Sequence, residues 1–288
     1  MTNSVKTIGV VGAGTMGAGI AQIAAQSGYT VVLVDAKDEF VQRGIARITS
    51  DLDKAVERDR MNAADRDATI GRLLGTSDYS ALSHCQLVIE AVPETLAIKE
   101  PVLTAISDAV DSDCIIASNT SSLSIGDLAT FVTNPGRMIG MHFFNPVPRM
   151  ALIEIVASQS TSEGVIDTVK AVAESLGKTS VRSADSAGFI VNRVLIPMIN
   201  EAIQALQDEV ATAEEIDTAM KLGAAHPMGP LALADLVGLD VVLDIMRVLE
   251  DAFGRKYSPA DLLVESVQAG RLGRKTGRGF YSYEGSNS

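Results

Sequence analysis

The most constraining stretch of this 288-residue chain is its beginning, where a β-branched run, residues 7–11, feeds into Gly12, Gly14 and Gly17 and a helix-like segment, residues 15–26. Gly28 stops that segment, and a second β-branched run, residues 30–35, ends on Asp35. Glycine meets three demands here: a tight turn at Gly12, close approach of a ligand to the backbone at Gly14, and close helix–strand packing at Gly17. A helix opening on such a loop presents unpaired N–H groups and a partial positive charge, which suits a pyrophosphate. A carboxylate ending the second strand accepts hydrogen bonds from a ribose and repels a 2′-phosphate. The glycines alone are a weak signal, but strand, turn, helix and second strand in this order specify dinucleotide binding, with NAD expected over NADP. Lys37, two residues past Asp35, softens that preference.

The rest of the first half continues the alternation of short apolar runs and helical patterns that marks a parallel sheet with crossover helices. Further strands are expected at 86–92, 114–118, 138–144, 152–156 and 180–182. Val41, Ile45, Ile48, Leu52 and Val56 recur at spacings of three and four, and Ile98, Val102, Ile106 and Val110 at spacings of four, so both sets read as core-facing helix stripes. Beyond the small and polar residues at 183–188, strand-like runs almost vanish. Helices are expected at 189–208, 213–222, 231–253 and 259–270, punctuated by Gly223, Pro227, Pro230 and Gly254. The expected fold is α/β: a Rossmann-type, mostly parallel sheet over residues 1–184, which holds the NAD, followed by an all-helical domain over 185–288.

Composition narrows the function classes. A hydrophobic share of 47% with 21% charged residues describes an ordinary globular chain. The net charge of −12 opposes non-specific attraction to nucleic acid or anionic lipid, so neither is expected as a partner. No apolar run approaches the roughly 20 residues of a membrane span, and residues 1–6 lack the pattern of a signal peptide. A cytoplasmic protein of bacterial type is therefore expected, with a short polar end at 285–288 that frays. Cys85 and Cys114 each precede an apolar run and read as buried thiols rather than a disulfide. Three dispersed histidines and no Cys/His ligand spacing argue against a metal site, and the missing GxSxG against a serine hydrolase.

Ligands of open α/β sheets bind beyond the carboxyl ends of the strands. One candidate there is the polar run 118–122, for which helix capping by Ser124 and its neighbours accounts only in part. Another is His142, at the end of its strand. If the runs around it and around Glu154 fold back about Pro148, the two residues fall opposite one another. A carboxylate beside an imidazole fixes its tautomer and supports its protonated form during acid/base work. The alternative is a satisfied core histidine and a carboxylate with another partner. His84 reads as a surface residue, and His226 as part of a turn or interface.

These residues together resemble the 3-hydroxyacyl-CoA dehydrogenase family. The motifs that carry the likeness are GAGTMGAGIA at 12–21, SNTSSLSI at 118–125, GMHFFNPVP at 140–148, GFIVNRVLIPMINEA at 188–202, MKLGAAHPMGPLALADLVGLD at 220–240 and LGRKTGRGFYSY at 272–283. The first is generic; the others together are specific. The resemblance implies that His142 takes the 3-hydroxyl proton as hydride leaves C3 for the nicotinamide, with Glu154 orienting and supporting it. It implies that Ser121 and Asn192 hydrogen-bond the reacting oxygen or neighbouring groups. Donors aimed at developing oxyanion charge are an effective way to lower such a barrier. Because Asn192 opens the second domain, the site is expected in the cleft between the two.

The same resemblance assigns cofactor contacts to Gly12, Gly14, Thr15, Met16, Gly17, Asp35, Glu94, Lys99, Asn145 and Lys275. It assigns Lys54, Arg58 and Ser121 to the CoA substrate, and it implies a homodimer built through the helical domain. Arg149 and Glu57 depart from the family pattern near the expected CoA path, which bears on CoA affinity more than on the reaction. Two other classes compete. A dehydrogenase of free hydroxyacids would need a lysine base and a carboxylate-binding arginine. A non-catalytic, crystallin-like NAD binder has no need of intact His142, Glu154, Ser121 and Asn192.

Overall fold

The structure, a computed structural model, describes residues 5–283, so the polar end at 285–288 lies outside the described residues. Two compact units divide the chain, Met1–Ser186 and Ala187–Ser288.

In the first unit β1 (Thr7–Val11), α1 (Thr15–Gln26) and β2 (Thr30–Val34) form the opening βαβ element. Next come α2 (Asp38–Glu57), α3 (Ala63–Ile70), β3 (Leu73–Thr76), β4 (Leu87–Glu90), α4 (Leu96–Ala109) and β5 (Ile115–Ser118). The unit closes with α5 (Ile125–Ala129), β6 (Met138–Phe143), β7 (Leu152–Ala157), α6 (Glu163–Ser175) and β8 (Thr179–Ala184). One eight-stranded sheet results, in the order β3-β2-β1-β4-β5-β6-β7-β8. All pairings are parallel except that of β6 with β7. The inner strands are buried along nearly their whole length, which is why they read as continuous apolar runs rather than alternations.

The expected α/β class stands, with local differences. Strand pairing stops earlier than expected: Asp35, Val92 and Phe144 lie just past their strands, where the chain turns away from the sheet. The edge strand β3 and its helix α3 were not expected, since β3 is only LLGT and has a single β-branched residue. Gly75 lets α2 pack closely on this strand. A Cβ on it would come within 2.5 Å of Val41 and 2.6 Å of Ile45, the α2 side chains that pack on β3. The α2 stripe is confirmed, with Val41, Ile48 and Leu52 buried. The α4 stripe is borne out only in part, at Ile106. Ile98 is 41% exposed, and the inward face carries Leu103, Ile106 and, fully buried, Lys99. An ammonium outcompetes an isoleucine for that position because two carboxylates wait for it, as described below. Cys85 and Cys114 are free and buried, and burial pushes both thiols up to about 12.

The second unit is helical: α7 (Val191–Gln207), α8 (Ala213–Gly223), α9 (Pro230–Val237), α10 (Leu239–Phe253) and α11 (Asp261–Gln268). The single helix expected at 231–253 is two, because Gly238 adopts φ 105, outside the helical region. Ile196, Ile199, Ile203, Leu239, Val242, Met246 and Leu263 form its core. Two buried aspartates hold the tail against it. Asp217 accepts from the N–H groups of Leu231 and Ala232 at 2.8 and 2.9 Å and from the Tyr281 hydroxyl at 2.8 Å. Asp235 accepts from the N–H groups of Phe280 and Tyr281 and from the Tyr283 hydroxyl, each at 3.0 Å. Among the described residues no helix is long and apolar enough to cross a membrane.

Candidate active site

The glycine-rich loop separates structural from ligand-facing glycines. Gly12 has φ +104, and a Cβ there would lie 2.7 Å from the Ala91 carbonyl oxygen; one on Gly17 would lie 1.7 Å from the Gly12 carbonyl oxygen. Both positions are closed to a side chain by backbone. Above Gly14 nothing lies within 4 Å, so the loop leaves open space where α1 begins. Gly14 is the N-cap and gives no side-chain hydrogen bond to the first N–H groups of α1, among them those of Thr15 and Met16, the kind of helix start that suits an anion. Asp35, just past β2, closes the cradle by accepting from Ala13 N–H at 2.6 Å and from Ala36 N–H at 2.7 Å. The arrangement fits a dinucleotide, its pyrophosphate over Gly14 and its ribose at Asp35.

His142 and Glu154 are register partners in the antiparallel β6–β7 pair, the placement expected about Pro148. Glu154 Oε2 lies 2.7 Å from His142 Nδ1, and the residues are 0% and 6% exposed. Neighbouring β-strands thus hold the dyad on rigid backbone rather than on loops. The Phe144 ring packs on the imidazole at 4.4 Å between centroids. With Nδ1 engaged by the carboxylate, acid/base exchange would fall to Nε2.

The polar run after β5 does more than cap a helix. Ser124 caps α5, accepting from Asp127 N–H. The residues before it wrap the Glu94 carboxylate, whose Oε1 accepts from Thr120 Oγ1 and Ser121 N–H at 2.6 Å, from Ser122 N–H and Oγ at 3.0 and 3.1 Å, and from Ser121 Oγ at 3.2 Å. Lys99 Nζ lies 3.3 Å from Glu94 Oε2 and 2.7 Å from Glu90. Burial pushes the Glu94 carboxyl up, but Lys99 and the donors of Thr120 and Ser121 outweigh it, so it sits below the ordinary carboxylate range. Asn119 Oδ1 accepts from Phe143 N–H at 2.9 Å and so ties this turn to the strand that carries His142. Glu90 went unnoticed in the sequence; its signal is a single charge at the end of an otherwise apolar strand.

Asn145 is exposed in the β6–β7 loop, whose carbonyls at Val147 and Met150 accept from Lys178 Nζ at 2.8 and 2.7 Å. Lys54 is exposed on α2, 3.7 Å from Asp51, and Arg58 is the C-cap residue just past the end of that helix. Asn192 lies in the first turn of α7, and next to it the Arg193 guanidinium packs 3.3 Å from the Phe253 ring centroid. Lys275 pairs with Asp240 at 2.5 Å. His226 lies in the turn between α8 and α9, and His84 is exposed.

Comparison with known proteins accords with this geometry. Residues 7–186 match the family model of the 3-hydroxyacyl-CoA dehydrogenase NAD-binding domain, and residues 188–283 that of its C-terminal domain. A 3-hydroxybutyryl-CoA dehydrogenase of Clostridioides difficile is 46% identical over 96% of this chain and 99% of its own. One from Bradyrhizobium diazoefficiens is 43% identical over 99% and 98%. The solved (S)-3-hydroxybutyryl-CoA dehydrogenase of Ralstonia eutropha superposes with a TM-score of 0.96 at 48% identity, over 98% of this chain and 100% of that one. With both halves matched and relatives this similar over nearly their full length, the chain belongs to the 3-hydroxyacyl-CoA dehydrogenase family.

Proposed function

We propose that the protein is an NAD-dependent oxidoreductase that interconverts (S)-3-hydroxyacyl-CoA and 3-ketoacyl-CoA, with 3-hydroxybutyryl-CoA and acetoacetyl-CoA as its main pair. The observation that carries this reading is the buried His142–Glu154 dyad, on the same sheet whose first turn forms the dinucleotide cradle. Bound NAD supplies the hydride acceptor for C3. His142 accepts the 3-hydroxyl proton through its outer nitrogen, and Glu154 stabilises the imidazolium that results. In the reverse direction His142 returns that proton to the carbonyl oxygen. The Ser121 hydroxyl makes the longest of the bonds to Glu94 Oε1, at 3.2 Å, and is the one most readily exchanged for a substrate oxygen. Its N–H stays on Glu94 and keeps the turn in place.

Glu94, Lys99 and Asn145 shape the cofactor side of the first unit. Asn192, for the substrate, and Lys275, for the cofactor, enter on the family likeness. Lys54 and Arg58 are exposed cations on an acidic protein and would meet the CoA phosphates. In this reading residues 1–184 bind NAD, and residues 185–288 serve substrate binding and dimerisation in a cytoplasmic homodimer. Leu222, Val210 and Val194, which are 83, 73 and 68% exposed, give the second unit apolar surface to cover. The complete dyad speaks for turnover rather than a purely NAD-binding role.

The deciding experiment is NADH oxidation with acetoacetyl-CoA, with a longer 3-ketoacyl-CoA and with free acetoacetate. Acetoacetyl-CoA should be reduced fastest, and free acetoacetate hardly at all. Preference for the free acid would overturn the assignment.

A further inference from the structure

Glu90 closes β4 with a side chain that is 0% exposed, and the mechanism above makes no use of it. Burying a carboxylate is costly unless partners answer its charge and lone pairs. Here they do. Glu90 Oε1 accepts from Lys99 Nζ and from Val92 N–H, both at 2.7 Å, and Oε2 accepts from Ser118 Oγ at 2.6 Å. Lys99 is itself 1% exposed; it also donates to the Val92 carbonyl at 3.2 Å and lies 3.3 Å from Glu94 Oε2. Two carboxylates therefore share one ammonium, held closer to Glu90 than to Glu94. With that charge answered at Oε2, Glu94 Oε1 is left to gather the hydroxyl and amide donors of residues 120–122.

We propose that Glu90 is a positioning residue: by holding Lys99 in place beside Glu94, it sets the turn at 120–122, and with it Ser121, in the geometry that cofactor and acyl-CoA require. The inference rests on the proposed 3-hydroxyacyl-CoA chemistry for its substrate half and on the dinucleotide cradle for its cofactor half. Its physical basis is competition for a single cation. Replacing Glu90 by Gln sets an amide among three donors, those of Lys99, Val92 and Ser118, and frees Lys99 to close on Glu94. A Glu94 drawn toward Lys99 loosens its hold on Thr120, Ser121 and Ser122. A residue that only fills space in the core would lower stability and leave ligand affinity alone.

The test is a double-mutant cycle on Glu90→Gln and Glu94→Gln. NADH dissociation constants are read by fluorescence and KM for acetoacetyl-CoA by steady-state kinetics, all well below the melting temperature of each variant. Glu90→Gln should raise both constants about tenfold, within the coupling measured for contacting groups, with a smaller effect on kcat. Added to Glu94→Gln it should raise them no more than about twofold further, because the path through Glu94 is already cut. Should Glu90→Gln not fold, Glu90→Asp keeps the charge but shortens its reach to Lys99, and it should shift both constants the same way by a smaller factor. Fully additive effects, or a lowered melting temperature with both constants unchanged in Glu90→Gln or in Glu90→Asp, overturn the proposal. If the unmodified protein does not turn over acetoacetyl-CoA, the functional assignment fails, while the NADH arm still decides the role of Glu90.

Discussion

His142 and Glu154 owe their partnership to strand register, so each substitution removes half of one device. General acid/base catalysis contributes about 10²–10⁴-fold, and His142→Ala should lower turnover by that order while NADH still binds. Glu154→Gln should lower it too, because the amide supports an imidazolium poorly. Groups that act as a unit lose activity non-additively, so the double variant should be little worse than His142→Ala. Additive losses, or near-normal turnover in His142→Ala, would send the search for the base elsewhere. Besides the ribose contact proposed for it, Asp35 accepts from the N–H groups of Ala13 and Ala36. Asp35→Ala should therefore narrow the preference for NADH over NADPH and weaken NADH binding as well. Equal catalytic efficiency with NADPH in the unmodified protein would remove the basis for this expectation.

At the scale of elements, β4, α4 and the turn after β5 are joined by Glu90, Lys99 and Glu94. The Glu94 carboxyl lies below its ordinary value of 4.5 in the folded protein. A carboxyl depressed by folding contributes stability that is complete above its unfolded pKa and lost as pH falls through the folded one. The melting temperatures of the unmodified protein and Glu94→Gln should thus differ at neutral pH and converge as pH drops below 4.5. A gap that stays constant with pH would contradict the sign of the effect. The end of α2 carries a separate expectation. Lys54 and Arg58 are exposed, and an acidic chain must meet an anionic CoA with particular cations. Lys54→Ala and Arg58→Ala should raise KM for the CoA substrate and leave that for NADH nearly unchanged, each well-formed charged contact contributing about 1.5–3 kcal/mol. Equal shifts in both constants would place the CoA phosphates elsewhere.

For the whole molecule, the proposed homodimer makes a claim that mass can decide. Sedimentation or light scattering should give about twice the 30.3 kDa of one chain. Changing Val194, Val210 and Leu222 to serine should shift the mass toward that of one chain. A monomer in the unmodified protein at micromolar concentration would refute it.

By itself, the sequence determined the α/β class, the opening βαβ element, the helical second half and the opposition of His142 to Glu154. These are matters of period and local chemistry: buried parallel strands show as unbroken apolar runs, special backbone angles show as glycine, and a fold-back about one proline sets a register. Tertiary structure alone decided the rest. It placed Lys99 rather than Ile98 on the inward face of α4, because the carboxylates that compensate its charge come from β4 and the loop after it. It broke the helix expected at 231–253 at Gly238, and it added β3, whose short run gains its place from the side chains of α2. Each of these turns on a partner remote in sequence or on a backbone angle that a pattern of hydrophobic residues does not encode.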